Sequence, residues 1–243
     1  MSQIKYVTVL FLTMFLIIGC ENPEDNNLED SNDTIVISSQ AEVNSFVGTS
    51  INGNLQIRGS DIIDLTPLSA LTSVGGTIEI LGSTALSSLN LDNLTSVDGE
   101  LRIGSNGALS SLSLDSLTSV GQNLSVVYNN SLTNLSLNNL TSVQGYLGVA
   151  GHDALTTLSL SNLTSVDGGV DITDNAVLTN LEGLTNLISV GGDLSIGLNA
   201  SLNAFCGLYP LLSSGGVDGT YAVTDNLLNP SQQQIIDDGP CVP

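Results

Sequence analysis

Three carboxylates in one short span, Asp167, Asp171 and Asp174, are the residues most able to do chemistry in this sequence. Oxygen ligands at that density suit calcium, a hard cation that gathers several carboxylate and carbonyl oxygens. A carboxylate pair could also cleave a glycosidic bond, but only if held roughly 5 to 9 Å apart, and nothing in the spacing enforces that. The Gly-Gly-x-Gly-x-Asp calcium pattern is absent. The three are therefore read first as solvated carboxylates, with calcium the weaker reading. His152 is the sole histidine and has no second His or Cys nearby in the sequence with which to hold a metal. Arg102 stands without the other basic residues that a polysaccharide-cleaving site would want. Cys206 and Cys241 are too few for a metal centre, which leaves a cross-link or free thiols. No catalytic residue, resident metal or cofactor is expected from this set.

What would position these groups is a repeat. "LTSVGG" begins at Leu71, "LTSVDG" at Leu94, "LTSVGQ" at Leu117, "LTSVQG" at Leu140, "LTSVDG" at Leu163 and "LISVGG" at Leu187, in steps of 23, 23, 23, 23 and 24. A degenerate copy, "INGNLQI", precedes them, and another, "VDGTYAVTDN", follows 27 positions behind its partner. Fixed periods of this size mark solenoids, in which a unit that cannot bury its own apolar face is stacked until the pile has a core. Leu71, Val74, Ile78, Ile80, Leu86, Leu89 and Leu91 are apolar, as are Leu94, Val97, Leu101, Ile103, Leu109, Leu112 and Leu114 one period later. Stacking would make each pair part of a buried column. Segments such as "GTIEI" and "GELRI" alternate with strand period and are bounded by Gly, Asn or Ser. Each coil is thus predicted to hold two or three short strands, paired in parallel with the next coil. About eight coils at roughly 4.8 Å each would form a prism near 40 Å long.

Two columns bear on the candidate residues. Ser83, Asn106, Asn129, His152, Asn175 and Asn199 share one position, where Asn suits a turn in left-handed backbone and could form an amide ladder. His152 is accordingly expected to be a surface ladder residue. The outward strand column reads Gln56, Glu79, Arg102, Ser125, Gly148, Asp171 and Ser195, so Glu79 and Arg102 should pair across adjacent coils.

The chain carries 24 acidic against 3 basic residues, a formal charge of -21, which excludes nucleic acid as a natural partner. Residues 1–19 begin with a single Lys and continue with an apolar run too short to span a bilayer comfortably. Ile17, Ile18, Gly19 and Cys20 resemble the lipobox of bacterial lipoproteins. That resemblance implies a signal peptide over 1–19 and an acylated Cys20 at the mature N-terminus, carrying palmitate-like chains into a bilayer. Residues 20–33 are acidic and almost devoid of apolar side chains, the composition of a solvated tether. An acidic run just behind the lipidated Cys also resembles the signals that export some lipoproteins to the outer face of a Gram-negative outer membrane. In that oxidising setting Cys206 and Cys241, the remaining thiols, are expected to form a disulfide.

The solenoid is assigned to 34–243, with an N-terminal cap over 34–50 and a C-terminal cap over 206–243. The first cap is expected to hold a strand from Thr34 to Ile37 and a helix starting after Ser39 with Glu42 in its first turn. "ALSSLNLDNLTSVDGELRIGSNGAL" resembles the receptor L-domain repeat of growth-factor receptor ectodomains and fungal wall proteins. The resemblance covers about residues 34 to 243. It implies an all-β, right-handed, parallel β-helix-like solenoid engaged in extracellular recognition, with no catalytic residues to carry over. The chain is also similar to leucine-rich repeats, although Leu94, Leu117 and Leu140 occupy the place usually held by Asn or Cys, so a horseshoe with helices on its back is the alternative fold. The function expected is a membrane-anchored, non-enzymatic binding or adhesion module, monomeric, for an extracellular glycan or protein. A structural envelope scaffold is the alternative, and a polysaccharide-acting β-helix enzyme is weaker.

Overall fold

The computed structural model describes residues 33–241. Cys20, the signal peptide assigned to 1–19 and the tether up to residue 32 lie outside the described residues. Short strands recur once per period and pair in parallel with their copies. The longest sheet has nine strands, at Thr34–Ile37, Asn54–Ile57, Ile78–Leu81, Leu101–Gly104, Leu124–Val127, Leu147–Ala150, Val170–Thr173, Leu194–Gly197 and Tyr221–Thr224. A seven-stranded sheet of two-residue strands runs from Ser50–Ile51 to Ser189–Val190, and a three-stranded sheet joins Ser111–Ser113, Asn134–Ser136 and Thr157–Ser159. These sheets wall a parallel β-solenoid of about eight coils. The register is set by the period: Leu101 pairs with Leu124, Leu124 with Leu147 and Leu147 with Val170.

The columns anticipated from the sequence are the core. Val74, Ile78, Ile80, Val97, Leu101 and Ile103 are all buried, and the apolar cluster continues without a break from Ile37 to Ile235. Two devices hold coils at this spacing. The Thr of each "LTSV" donates its hydroxyl to the carbonyl of the Thr one coil earlier, at 2.8 to 3.0 Å, from Thr72 onto Thr49 up to Thr164 onto Thr141. The Gly that follows each "SV" pair lets backbones touch: a β-carbon at Gly99 would lie 2.6 Å from the Gly76 carbonyl carbon.

Helices occur at the two ends. Helix α1, Gln40–Ser45, starts from Ser39, whose hydroxyl accepts from the Glu42 amide, and buries Val43 against the first coil. That matches the expected strand and cap helix. Helix α2, Tyr209–Ser213, opens with Pro210 at a position where its missing N–H costs nothing, and its insertion accounts for the 27-residue final coil. Helix α3, Gln232–Asp238, closes the chain from a capping box between Ser231 and Gln234. No α-helix lines the back of the repeats among the described residues, where the first coil has only the short 3-10 turn Thr66–Leu68, so the horseshoe alternative is set aside. The third wall is strand and turn because its residues, such as "SSLSLD", alternate in and out.

Candidate functional site

The solenoid has an inner polar column and an outer face, and the candidate residues divide between them. Ser83, Asn106, Asn129, His152, Asn175 and Asn199 are fully buried, which corrects the expectation of a surface ladder. The left-handed residues are their predecessors: Gly82, Ser105, Tyr128, Gly151, Asp174, Leu198 and Asp225 all have φ between 54 and 73°. This turn swings the next side chain inward, where it caps the backbone of the coil before. Asn129 Oδ1 accepts from the Asn106 amide and its Nδ2 donates to the Ile103 carbonyl, both at 3.1 Å. Asn106, Asn199 and Asn226 repeat both bonds, and Asn229 ends the series by accepting from the Asn226 amide.

His152 is an Asn substitute. Its Nδ1 accepts from the Asn129 amide at 3.2 Å, which leaves the proton on Nε2, 3.1 Å from the Val126 carbonyl. The ladder falters just beyond it: the His152 amide donates to the Asp174 carbonyl, and Asn175 Oδ1 is buried without a partner. Burial, outweighing the two hydrogen bonds, holds the imidazole below its usual pKa. The unfolded chain takes up that proton near pH 6.5 while the folded chain resists it, so stability is full above that pH and declines as pH falls through it. We expect the melting temperature of His152→Asn to drop less than that of the wild type between about pH 7 and about pH 5. Parallel pH profiles would show that His152 does not titrate on unfolding.

The outer face of the nine-stranded sheet holds the other candidates. Arg102 lies 3.0 Å from Glu79 and 3.5 Å from Glu100, and Gln56 donates to Glu79. The expected Glu79 and Arg102 pair is thus present. Half-exposed, it contributes roughly 0.2 to 1 kcal/mol. Asp171 is three strands away from Arg102 in the same column, in pairing register with Gly148. The structure does not bring Asp167, Asp171 and Asp174 together. Among the described residues the one cluster with metal-ligating atom types is Glu182, Cys206 and Cys241, and the two sulfurs there form the expected disulfide, with 4.9 Å between Cα atoms.

Two residues overlooked in the sequence dominate this face. Tyr146 lies against Gly148, and its hydroxyl donates to Asp171 Oδ2 at 2.9 Å. Tyr128 lies against Gly151 of the next coil. A β-carbon at Gly148 would sit 2.7 Å from the Tyr146 ring, and one at Gly151 2.5 Å from the Tyr128 ring. Tyr128 is 61% exposed and Tyr146 38% exposed. The backbone at Tyr128 is left-handed, φ 54°, a conformation that disfavours any residue but Gly by roughly 1 to 2 kcal/mol. Asp171 Oδ1 is buried and unpartnered. Burial first, then the Asp171 carboxylate, raises the Tyr146 phenol above its ordinary pKa. The signal that could have found them is departure from the repeat: the positions equivalent to Tyr146 hold Thr77, Glu100, Asn123 and Gly169.

A third polar cluster is closed on itself. Asp115 accepts from Ser113, Ser136 and the Asn138 amide, and Asn138 accepts from Ser159 and Ser161. These bonds, Ser136 foremost, hold the Asp115 carboxyl below the usual range. No helix among the described residues is long and apolar enough to cross a membrane. The arrangement defines a parallel β-solenoid with a sealed amide ladder inside and an aromatic patch outside. No family model, curated protein or solved structure matches the chain.

Proposed function

We propose that this protein is a membrane-anchored, non-enzymatic binding or adhesion module that meets an extracellular partner on the outer face of its nine-stranded sheet. The observation that carries this reading is the pair Tyr128 and Tyr146, exposed aromatics on adjacent coils of a stack whose other coils place Gly, Ser, Thr, Glu, Asn or Asp there, apart from Leu198. Aromatics of this kind are the anchors of recognition surfaces, and stacked coils offer long faces for contact. The lipobox-like run ending at Cys20 supports attachment to a bilayer. The acidic segment behind it and the resemblance to receptor L-domains support display at the surface of a Gram-negative cell.

The test is protease shaving of intact cells expressing the full chain. A broad-specificity protease is needed, because Arg58 and Arg102 are the only tryptic sites in the solenoid. Loss of the solenoid from intact cells, with periplasmic markers retained, is the expected result. Full protection until the outer membrane is permeabilised would favour an envelope scaffold instead.

A further inference from the structure

Both tyrosines rest on glycines of a single coil. Gly148 lies within the strand Leu147–Ala150 and Gly151 just past its end. They stand three residues apart, roughly 10 Å along a strand, so the two rings flank the same short stretch of the face. Neither ring serves the core: the apolar cluster beneath is complete with Leu124, Val126, Leu147 and Val149. Tyr128 also occupies a left-handed position that Gly fills in the coil after it. Residues that depart from an otherwise regular repeat without supporting the fold point to a ligand.

The surroundings narrow the ligand. Between and beside the rings the face offers Ser125, Val127, Gly148, Ala150, Thr173 and Asp171, a single branched apolar side chain among small and polar ones. A protein partner would bury a larger patch with an apolar centre. A pyranose ring presents an apolar C–H face, whose weakly positive hydrogens suit the negative face of a tyrosine, and a rim of hydroxyls. Asp171 Oδ2 accepts from the Tyr146 hydroxyl, which anchors that tyrosine ring against the sheet. The chain's charge of -21 repels polyanions. We propose, resting on the binding role above, that Tyr128 and Tyr146 are stacking platforms for sugar rings of one neutral polysaccharide chain.

The experiment is affinity electrophoresis of the full-length protein in detergent, through gels containing hydroxyethyl cellulose, xylan, β-1,3-glucan, galactomannan or soluble starch, with polygalacturonate as the acidic control. At least one neutral polymer is expected to retard the wild type, and polygalacturonate is not. Tyr128→Ala and Tyr146→Ala should each weaken retardation about tenfold, and the double variant should abolish it. Tyr128→Phe, which keeps a ring, should retain it. All variants should melt within a few degrees of the wild type, since both side chains lie outside the core. Retardation unchanged in the double variant, or absent for the wild type with every neutral polymer, overturns the proposal. Adhesion of expressing cells is measured in parallel. Adhesion that persists without glycan retardation rejects the glycan and keeps the binding role, whereas loss of both rejects the two together.

Discussion

Replacing Asn129 by Leu should lower the unfolding free energy by about 2 kcal/mol, although Leu is nearly isosteric. The substitution removes one acceptor and one donor from the middle of the stack. The Asn106 amide, now bonded to Asn129 at 3.1 Å, would be left buried and unpaired, at roughly 1 to 3 kcal/mol, while the Ile103 carbonyl would lose its side-chain bond but stay within the paired strand. Because a solenoid is stabilised by interfaces between neighbouring coils, the loss falls on one interface, and the urea transition should broaden as the two halves uncouple. Asn129→His is the matching control. His152 shows that an imidazole satisfies the same two backbone groups, so this variant should lose less than half as much. Urea midpoints of the three proteins decide it: a Leu variant within about 0.5 kcal/mol of wild type would mean that the ladder is ornamental to stability.

Converting Cys206 and Cys241 to Ser together should cost about 4 kcal/mol, the chain-entropy value for a cross-link across a sequence separation of 35. The loss should be local before it is global. Helix α3 buries Ile235 and packs Ile236 partly against the core, and its segment is further held by the disulfide and by Tyr221, whose hydroxyl donates to the Pro230 carbonyl at 2.7 Å. Burial raises that phenol to about 12. Without the cross-link, amides of residues 232–238 should exchange rapidly while those of the strand Leu124–Val127 stay protected. Release of α3 would also uncover Phe205 and Leu208, so association at high concentration should follow. Protection of α3 equal to that of the wild type would show that the cap is held by packing alone.

Much of the fold was legible because the repeat states each constraint several times. The apolar columns, the strand Thr34–Ile37, the helix after Ser39, the Glu79 and Arg102 pair and the Cys206 to Cys241 bridge all follow from period, alternation, capping chemistry or thiol count. The ladder was placed on the wrong side of the wall. A column of Asn ordinarily means a surface turn, and sequence offers no sign that the preceding position, as varied as Gly82, Tyr128 and Leu198, is the left-handed one. That turn, not the Asn, decides which way the amide points. Tyr128 and Tyr146 escaped notice for a different reason. They sit in columns flanking the one through Gln56 and Arg102, and their pairing with Gly148 and Gly151 depends on how rings fold down across the sheet.

The amide ladder also gives the molecule a direction. Each buried amide of the column is answered from one period later, by a side chain, as Asn106 is by Asn129 and Asn199 by Asn226, or at His152 by the Asp174 carbonyl. A nascent solenoid emerging N-terminus first therefore always ends in a coil whose donor is unanswered, and that coil is finished only when its successor has been synthesised. Asn226 breaks the rule by turning to Asn229, three residues on in its own coil. That local bond is a stop signal: it completes the final coil without a successor, and it marks which end of the stack has ceased to grow.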